Sequence, residues 1–122
     1  MPGQERFLVE VITGEGLVAT DRLVERLHVT RGELANAFGL SRDAVSKTAR
    51  LRNRATQARL RDVVEIINRV QGWAGSVPQA FAWYRSQPLP SFGDKTAEDL
   101  VKEGRAEAVK RYLSRIAEGG YA

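Results

Sequence analysis

Cysteine is missing from this 122-residue chain, and histidine occurs once, at His28. The first absence removes disulfides, thiolate nucleophiles and cysteine-bound zinc, and it fits a reducing, cytoplasmic setting. The second rules out a self-contained His-rich metal site, and any Ser–His–Asp device would have to be built on one imidazole. No apolar run approaches the roughly 20 residues of a membrane span. The first ten residues carry Glu5, Arg6 and Glu10, without the apolar core of a cleavable signal peptide. These gaps point away from an enzyme, a metal or a cofactor, and toward a soluble binding protein. Hydrophobic residues at 43% and charged residues at 28% are close to a globular average, enough for one small folded domain.

Acidic residues are scarce where basic ones gather. Residues 20–61 hold ten basic side chains (Arg22, Arg26, Arg31, Arg42, Lys47, Arg50, Arg52, Arg54, Arg59 and Arg61) against four acidic ones, a net of +6. Residues 1–19 are net −2, and residues 62–122 carry eight of each sign. The excess behind the +4 total therefore sits in the middle third. That asymmetry suits a polyanion partner for one segment and a different task for the rest; a merely solvated basic face is the plainer reading.

Helix signals cover most of the chain. Thr20 or Asp21 is placed to cap a short helix carrying Leu23, Val24 and Leu27. Thr30 and Glu33 have capping-box spacing ahead of Leu34, Ala35 and Phe38, and Gly39 stops that helix. Ser41 opens the next, with Ala44, Val45 and Ala49. Leu60, Val63, Val64, Ile67 and Val70 recur at helical spacing, with a stop expected near Gly72. Ser76-Val77-Pro78-Gln79 starts another helix, with proline in its first turn, ahead of Phe81 to Tyr84. Pro88 and Pro90 predict an extended stretch from Gln87 to Phe92. Thr96 and Asp99 open a short helix ending at Gly104; Val109, Tyr112, Leu113 and Ile116 mark a last one, closed by Gly119 and Gly120. Phe7 to Ile12 is the one candidate strand, too short for its period to separate strand from helix. The fold class is all-α: an N-terminal arm of open structure over 1–19, a helix-turn-helix region over 20–59 and a second helical unit over 60–122.

Thr30 to Thr48, TRGELANAFGLSRDAVSKT, reads as one unit. Small Ala35 faces inward, Gly39 permits a left-handed turn, Leu40 plugs it, Ser41 caps the second helix and Val45 locks it onto the first. The pattern resembles the helix-turn-helix of bacterial repressors of the Xre and related classes. In that geometry the second helix enters the major groove of operator DNA. Ser41, Arg42, Asp43, Ser46 and Lys47 are then the candidate DNA-binding residues. Arg42 or Lys47 would read guanine, and Asp43 would accept from cytosine or buttress Arg42. Arg50, Arg52, Arg54, Arg59 and Arg61 are candidate phosphate contacts. A module this small implies a homodimer on a two-fold site.

The second unit holds Trp73, Trp83, Phe81, Phe92 and all three tyrosines. Aromatics this dense serve a core, an interface, or both. Residues 70–73 (VQGW), 82–85 (AWYR), 88–105 (PLPSFGDKTAEDLVKEGR), Val109, Leu113 and Ile116 to Ala122 resemble the toxin-binding domain of Xre/MbcA/ParS-type antitoxins. Many members carry a proline before the short helix; here Lys95-Thr96 stands instead, with Thr96 as N-cap.

The resemblance implies a non-catalytic antitoxin of a type II toxin–antitoxin system. It implies a RES-domain toxin as partner, an enzyme that consumes NAD or transfers ADP-ribose, bound in a toxin–antitoxin hetero-oligomer. The C-terminal region would cover the toxin's cleft while the helix-turn-helix represses the operon. The candidate toxin-binding residues are Trp73, Trp83, Phe92, Glu118, Gly119, Gly120, Tyr121 and Ala122. A tip with one aromatic and a carboxylate suits a cleft built for an anionic dinucleotide: Tyr121 can stack where a base would, and the carboxylate can meet an arginine. A frayed terminus is the alternative for the tip. For the whole chain it is a solitary helix-turn-helix regulator whose C-terminal half dimerises.

Overall fold

Leu60, Val63, Val64, Ile67 and Val70 are all buried along one face of a single long helix in the computed structural model, as their spacing requires. The structure describes residues 2–46 and 48–119, and the side chains of 6–46 and 50–119. In chain order the helices are α1 (Pro2–Val11), α2 (Thr20–Leu27), α3 (Arg31–Phe38), α4 (Arg42–Ser46), α5 (Thr48–Leu51), α6 (Arg54–Ala74) and α7 (Val77–Ser86). A 3-10 turn (Pro90–Phe92), α8 (Ala97–Lys102) and α9 (Ala106–Ala117) follow. The fold is all-α. Among the described residues there is no strand, only isolated bridges between Ile12 and Val18 and between Leu89 and Lys95. No helix among them is long and apolar enough to cross a membrane.

Helix α6 is the axis, touched by α1, α3, α5, α7 and α9. Each fully buried aliphatic side chain contributes roughly 1.5–3 kcal/mol, so this stripe outweighs any propensity term in holding the helix. One hydrophobic cluster runs from Phe7 and Val11 through α6 to Val109 and Leu113. The sequence boundary at residues 59 and 60 falls inside α6.

Phe7 to Ile12 is helical rather than extended through Val11. Phe7 and Val11, four apart, are fully buried, and Leu8 and Ile12 pack beside them. Gln57 fastens the following turn to α6: its Oε1 accepts from the Val18 amide at 2.8 Å, and its Nε2 donates to the Val18 carbonyl at 3.3 Å. Helix α2 is capped by neither Thr20 nor Asp21. Its N-cap is Ala19, without a side-chain bond. Thr20 is buried, and its hydroxyl donates to the Val45 carbonyl at 3.3 Å, which binds α2 to α4. Helix α6 passes Gly72 and ends at Ala74, with Gly75 as C-cap. Of the stretch from Gln87 to Phe92, the last three residues curl into the 3-10 turn. That curl lets the Leu89 and Lys95 backbones meet, with a 2.9 Å bond from the Leu89 amide to the Lys95 carbonyl.

Candidate functional site

The capping box at Thr30 and Glu33 forms in both directions and starts α3. Gly39 ends it at φ 69°, a left-handed conformation that suits glycine. A Cβ there would lie 2.6 Å from Arg59 Nη1 and 3.2 Å from Lys102 Cγ, so the Arg59 and Lys102 side chains would have to give way. The Ser41 hydroxyl accepts from the Ala44 amide at 3.1 Å and opens α4, and Val45 is buried beneath it. Arg42, Asp43 and Ser46 are exposed on α4. The Arg42 guanidinium lies over Gly32, where a Cβ would come within 2.9 Å of Nη2. Ser46 donates to the Arg42 carbonyl at 2.7 Å, so its hydroxyl is engaged on its own helix. Lys47 lies outside the described residues.

Asp43 does not buttress Arg42. Its carboxylate pairs with Arg50 at 3.2 Å, across the α4–α5 corner. Arg52 pairs with Glu15 at 3.3 Å. Both pairs are more than half exposed, and exposed pairs contribute at most about 1 kcal/mol, so either arginine can exchange its partner cheaply. Arg54 is exposed at the start of α6. Arg59 has a different task from the one its charge suggests. It donates through Nη1 to the carbonyls of Phe38 at 3.1 Å and Gly39 at 3.4 Å, satisfying the C-terminus of α3. Arg31 likewise turns inward, to the Thr20 hydroxyl and the Val45 carbonyl.

The C-terminal surface is built where α6 overruns the core. Val70 is its last buried residue; Trp73, one turn on, is 53% exposed. Its ring meets Trp83 of α7 edge-on, with centroids 5.5 Å apart and planes at 89°. Trp73 and Gly72 face Leu113, Ile116 and Ala117 of α9 across an open groove of about 640 Å³. Arg69 ties the two helices at its edge, donating to Glu65 at 2.9 Å and to the Lys110 carbonyl and Ser114 hydroxyl at 3.2 Å each. The structure thus brings Trp73 and Trp83 together. Phe92 packs elsewhere on α9, edge-on to Tyr112 at 6.0 Å with the Arg105 guanidinium 5.5 Å from its ring. Glu118 is the C-cap of α9, and Gly119 turns at φ 88°. Gly120, Tyr121 and Ala122 lie outside the described residues. The sequence pattern missed Leu113, Ile116 and Ala117 as a groove wall. Its signal was the α9 stripe running on from Leu113, which is buried, to Ile116, which is only partly so.

Titrating groups knit these parts. Burial, and then the Glu98 charge, hold the Tyr84 phenol far above its ordinary range. Glu98 is itself nearly buried and receives Arg85 Nε at 2.6 Å and Lys102 Nζ at 2.8 Å. Lys110 is opposed by burial, yet its hydrogen bond and charge contact with Asp62, aided by Glu65 and Glu107, raise its pKa.

No curated protein and no solved structure matches this chain. Residues 73–119, which begin at Trp73 and span α7 to the end of α9, match the family model of the C-terminal toxin-binding domain of Xre/MbcA/ParS antitoxins.

Proposed function

We propose that this chain is an antitoxin that binds a RES-type, NAD-consuming or ADP-ribosylating toxin and represses its own operon. The observation that carries the reading is the family match over residues 73–119, which begins at the exposed Trp73 and takes in the apolar groove beside it. An exposed tryptophan edge-packed on a second one, over an aliphatic wall, is the composition of an interface anchor. The toxin seats on Trp73, Trp83 and Ile116. Glu118, Gly119 and the terminal Gly120-Tyr121-Ala122 extend from that seat into its cleft. Phe92 acts from behind, by holding the α9 face.

The test is co-expression with a RES-domain enzyme from the neighbouring reading frame, scored by NAD consumption. Wild-type protein protects, and Trp73→Glu loses most of the protection while melting as the parent does. An intact, folded wild type that leaves every such enzyme active overturns the reading.

The operator is bound by the α3–α4 unit. Arg42 reads base edges, and Arg50, Arg52 and Arg54 face phosphates, with Lys47 added from the sequence. The support is a turn built on Gly39 and Ser41 with four exposed arginines in and after it. Charge-neutral variants of Arg42, Lys47 and Arg52 together abolish the gel shift on the upstream promoter. Unchanged binding refutes the DNA role and leaves the toxin role standing.

A further inference from the structure

Three exposed arginines stand on α9: Arg105 at its N-cap, Arg111 and Arg115. The other four cations of residues 73–119 are matched. Glu98 holds Arg85 and Lys102, Glu103 holds Lys95 at 2.5 Å, and Lys110 sits among Asp62, Glu65 and Glu107. Arg105 reaches only the other oxygen of Glu103, at 3.8 Å. Arg111 and Arg115 have no ion-pair partner among the described residues.

Two of the three are held in place by aromatic rings. The Arg105 guanidinium lies over Phe92 at 5.5 Å and that of Arg115 over Tyr112 at 6.0 Å, and the two rings meet edge-on at 6.0 Å. The order along the surface is Arg105, Phe92, Tyr112, Arg115. A ring face attracts a guanidinium without neutralising it. An arginine steadied in this way loses less freedom when it grips a carboxylate, and its planar fork matches two oxygens at once.

The row lies at the toxin end of the molecule. Asp62 pairs with Lys110, Arg69 with Ser114, and Trp73 faces Ala117. Helix α9 therefore runs alongside α6 in the same direction, and Arg115 comes to the Trp73 end, while α4 precedes the opposite end of α6. Tyr112 is one turn before Ile116, so the row continues the groove wall across α9.

We infer that Arg105, Arg111 and Arg115 form a second contact with the toxin, which docks an acidic, Asp- or Glu-bearing surface on them. The inference rests on the antitoxin reading and adds a charged partner to its apolar seat. The acidic surface is on the shoulder of the toxin's cleft, because a cleft that takes an anionic dinucleotide carries cations of its own and would repel three arginines. The groove supplies the apolar grip, and the row steers the approach.

The experiment measures association and dissociation rates between the full chain and the RES-domain enzyme of the neighbouring reading frame, at 50 and 500 mM salt. Wild type is expected to associate about tenfold more slowly at the higher salt. The Arg105→Gln, Arg115→Gln double variant is expected to lose about tenfold in association rate at 50 mM, to lose most of the salt dependence, and to melt as the parent does. Arg22→Gln, an equal charge change on α2, is expected to leave both rates unchanged, and Trp73→Ala to speed dissociation. A double variant with the wild-type rate and salt dependence overturns the inference, and if Trp73→Ala still speeds dissociation the antitoxin reading survives it. A double variant that binds the toxin normally but has lost affinity for non-specific duplex assigns the row to nucleic acid and overturns it as well. A wild type that does not bind the enzyme at all removes the antitoxin reading, and this contact with it.

Discussion

The Tyr84 hydroxyl donates to the Ala37 carbonyl at 2.7 Å, and this bond ties α7, inside the toxin-binding match, to the last turn of α3. Ala37 lies in the last turn of α3, where helix geometry leaves carbonyls without an intrahelical donor. The Tyr84 ring stacks on Phe81 at 6.1 Å and meets Phe38 edge-on at 6.4 Å. Tyr84→Phe keeps the ring and strands the carbonyl, a loss of about 1–3 kcal/mol. The bond and the shared core couple the two halves, so tryptophan fluorescence and far-UV circular dichroism should shift together. Two separate transitions in the wild type would refute the coupling.

The same phenol predicts an alkaline limit. Its folded pKa is raised, and an unfolded tyrosine ionises near about 10. Above that pH the unfolded chain sheds a proton that the native state keeps, so stability falls as pH rises. Tyr112 is shifted in the same direction by burial. The raised Lys110 adds stability that is present below its unfolded pKa and lost as pH rises through the folded one. The melting temperature should therefore drop between about pH 9 and 11. In Tyr84→Phe the drop should be shallower; an equal drop would assign it to the other groups alone.

At the acid end, the N-terminus of α8 sets the expectation. Thr96 and Asp99 exchange two 3.0 Å bonds, each side chain accepting from the other's amide. The bond from the Thr96 amide holds the Asp99 carboxyl below its ordinary range. A lowered carboxyl contributes stability above its unfolded pKa and loses it as pH falls through the folded one. Asp99→Asn should flatten the acid limb of the stability profile. Thr96→Ala should cost about 0.5–2 kcal/mol at neutral pH, measured by urea titration.

What the sequence revealed follows the range of the interactions. Thr30 with Glu33, and Thr96 with Asp99, are three residues apart and form as spaced. The α6 stripe is periodic and buries as spaced. Where a partner lies far along the chain, the local signal misleads. Thr20 looks like a cap, but its hydroxyl is taken by Val45. Arg59 looks like a phosphate ligand, but the end of α3 claims it from 21 residues away. Phe7 to Ile12 satisfies two periods, and only docking on α6 selects the helix. The Trp73 groove was half legible: the aromatics stood out, while its aliphatic wall on α9 read as core.

Asp43 offers a test of the proposed DNA face with an opposite sign. Its carboxylate occupies Arg50 at 3.2 Å and adds negative charge to α4. Asp43→Asn should release Arg50 and remove a repulsion toward phosphate. Affinity for non-specific duplex should rise, and the slope of log affinity against log salt should steepen by up to about one unit. A salt titration by fluorescence anisotropy reads both. Unchanged affinity and slope would remove α4 and Arg50 from the DNA face.

Truncation after Gly119 separates the groove from the tip. Val109, Tyr112 and Leu113 anchor α9 in the core, and Ile116 is its last residue packed there. Its C-terminal carbonyls are engaged by Glu118 and Gly119: the Glu118 amide donates to Ser114 at 3.1 Å, and the Gly119 amide to Ile116 at 3.0 Å. Removing Gly120, Tyr121 and Ala122 therefore spares every one of these contacts, and the melting temperature should hold within about a degree. Protection against the toxin should fall far more, because a single aromatic anchor at an interface is commonly worth about 2 kcal/mol or more, close to thirtyfold in affinity. Ile116→Lys is the companion variant, damaging the groove and keeping the tip. Loss with both variants makes the two parts one interface. Full protection by the truncated chain would place all of the inhibition on the Trp73, Trp83 and Ile116 surface.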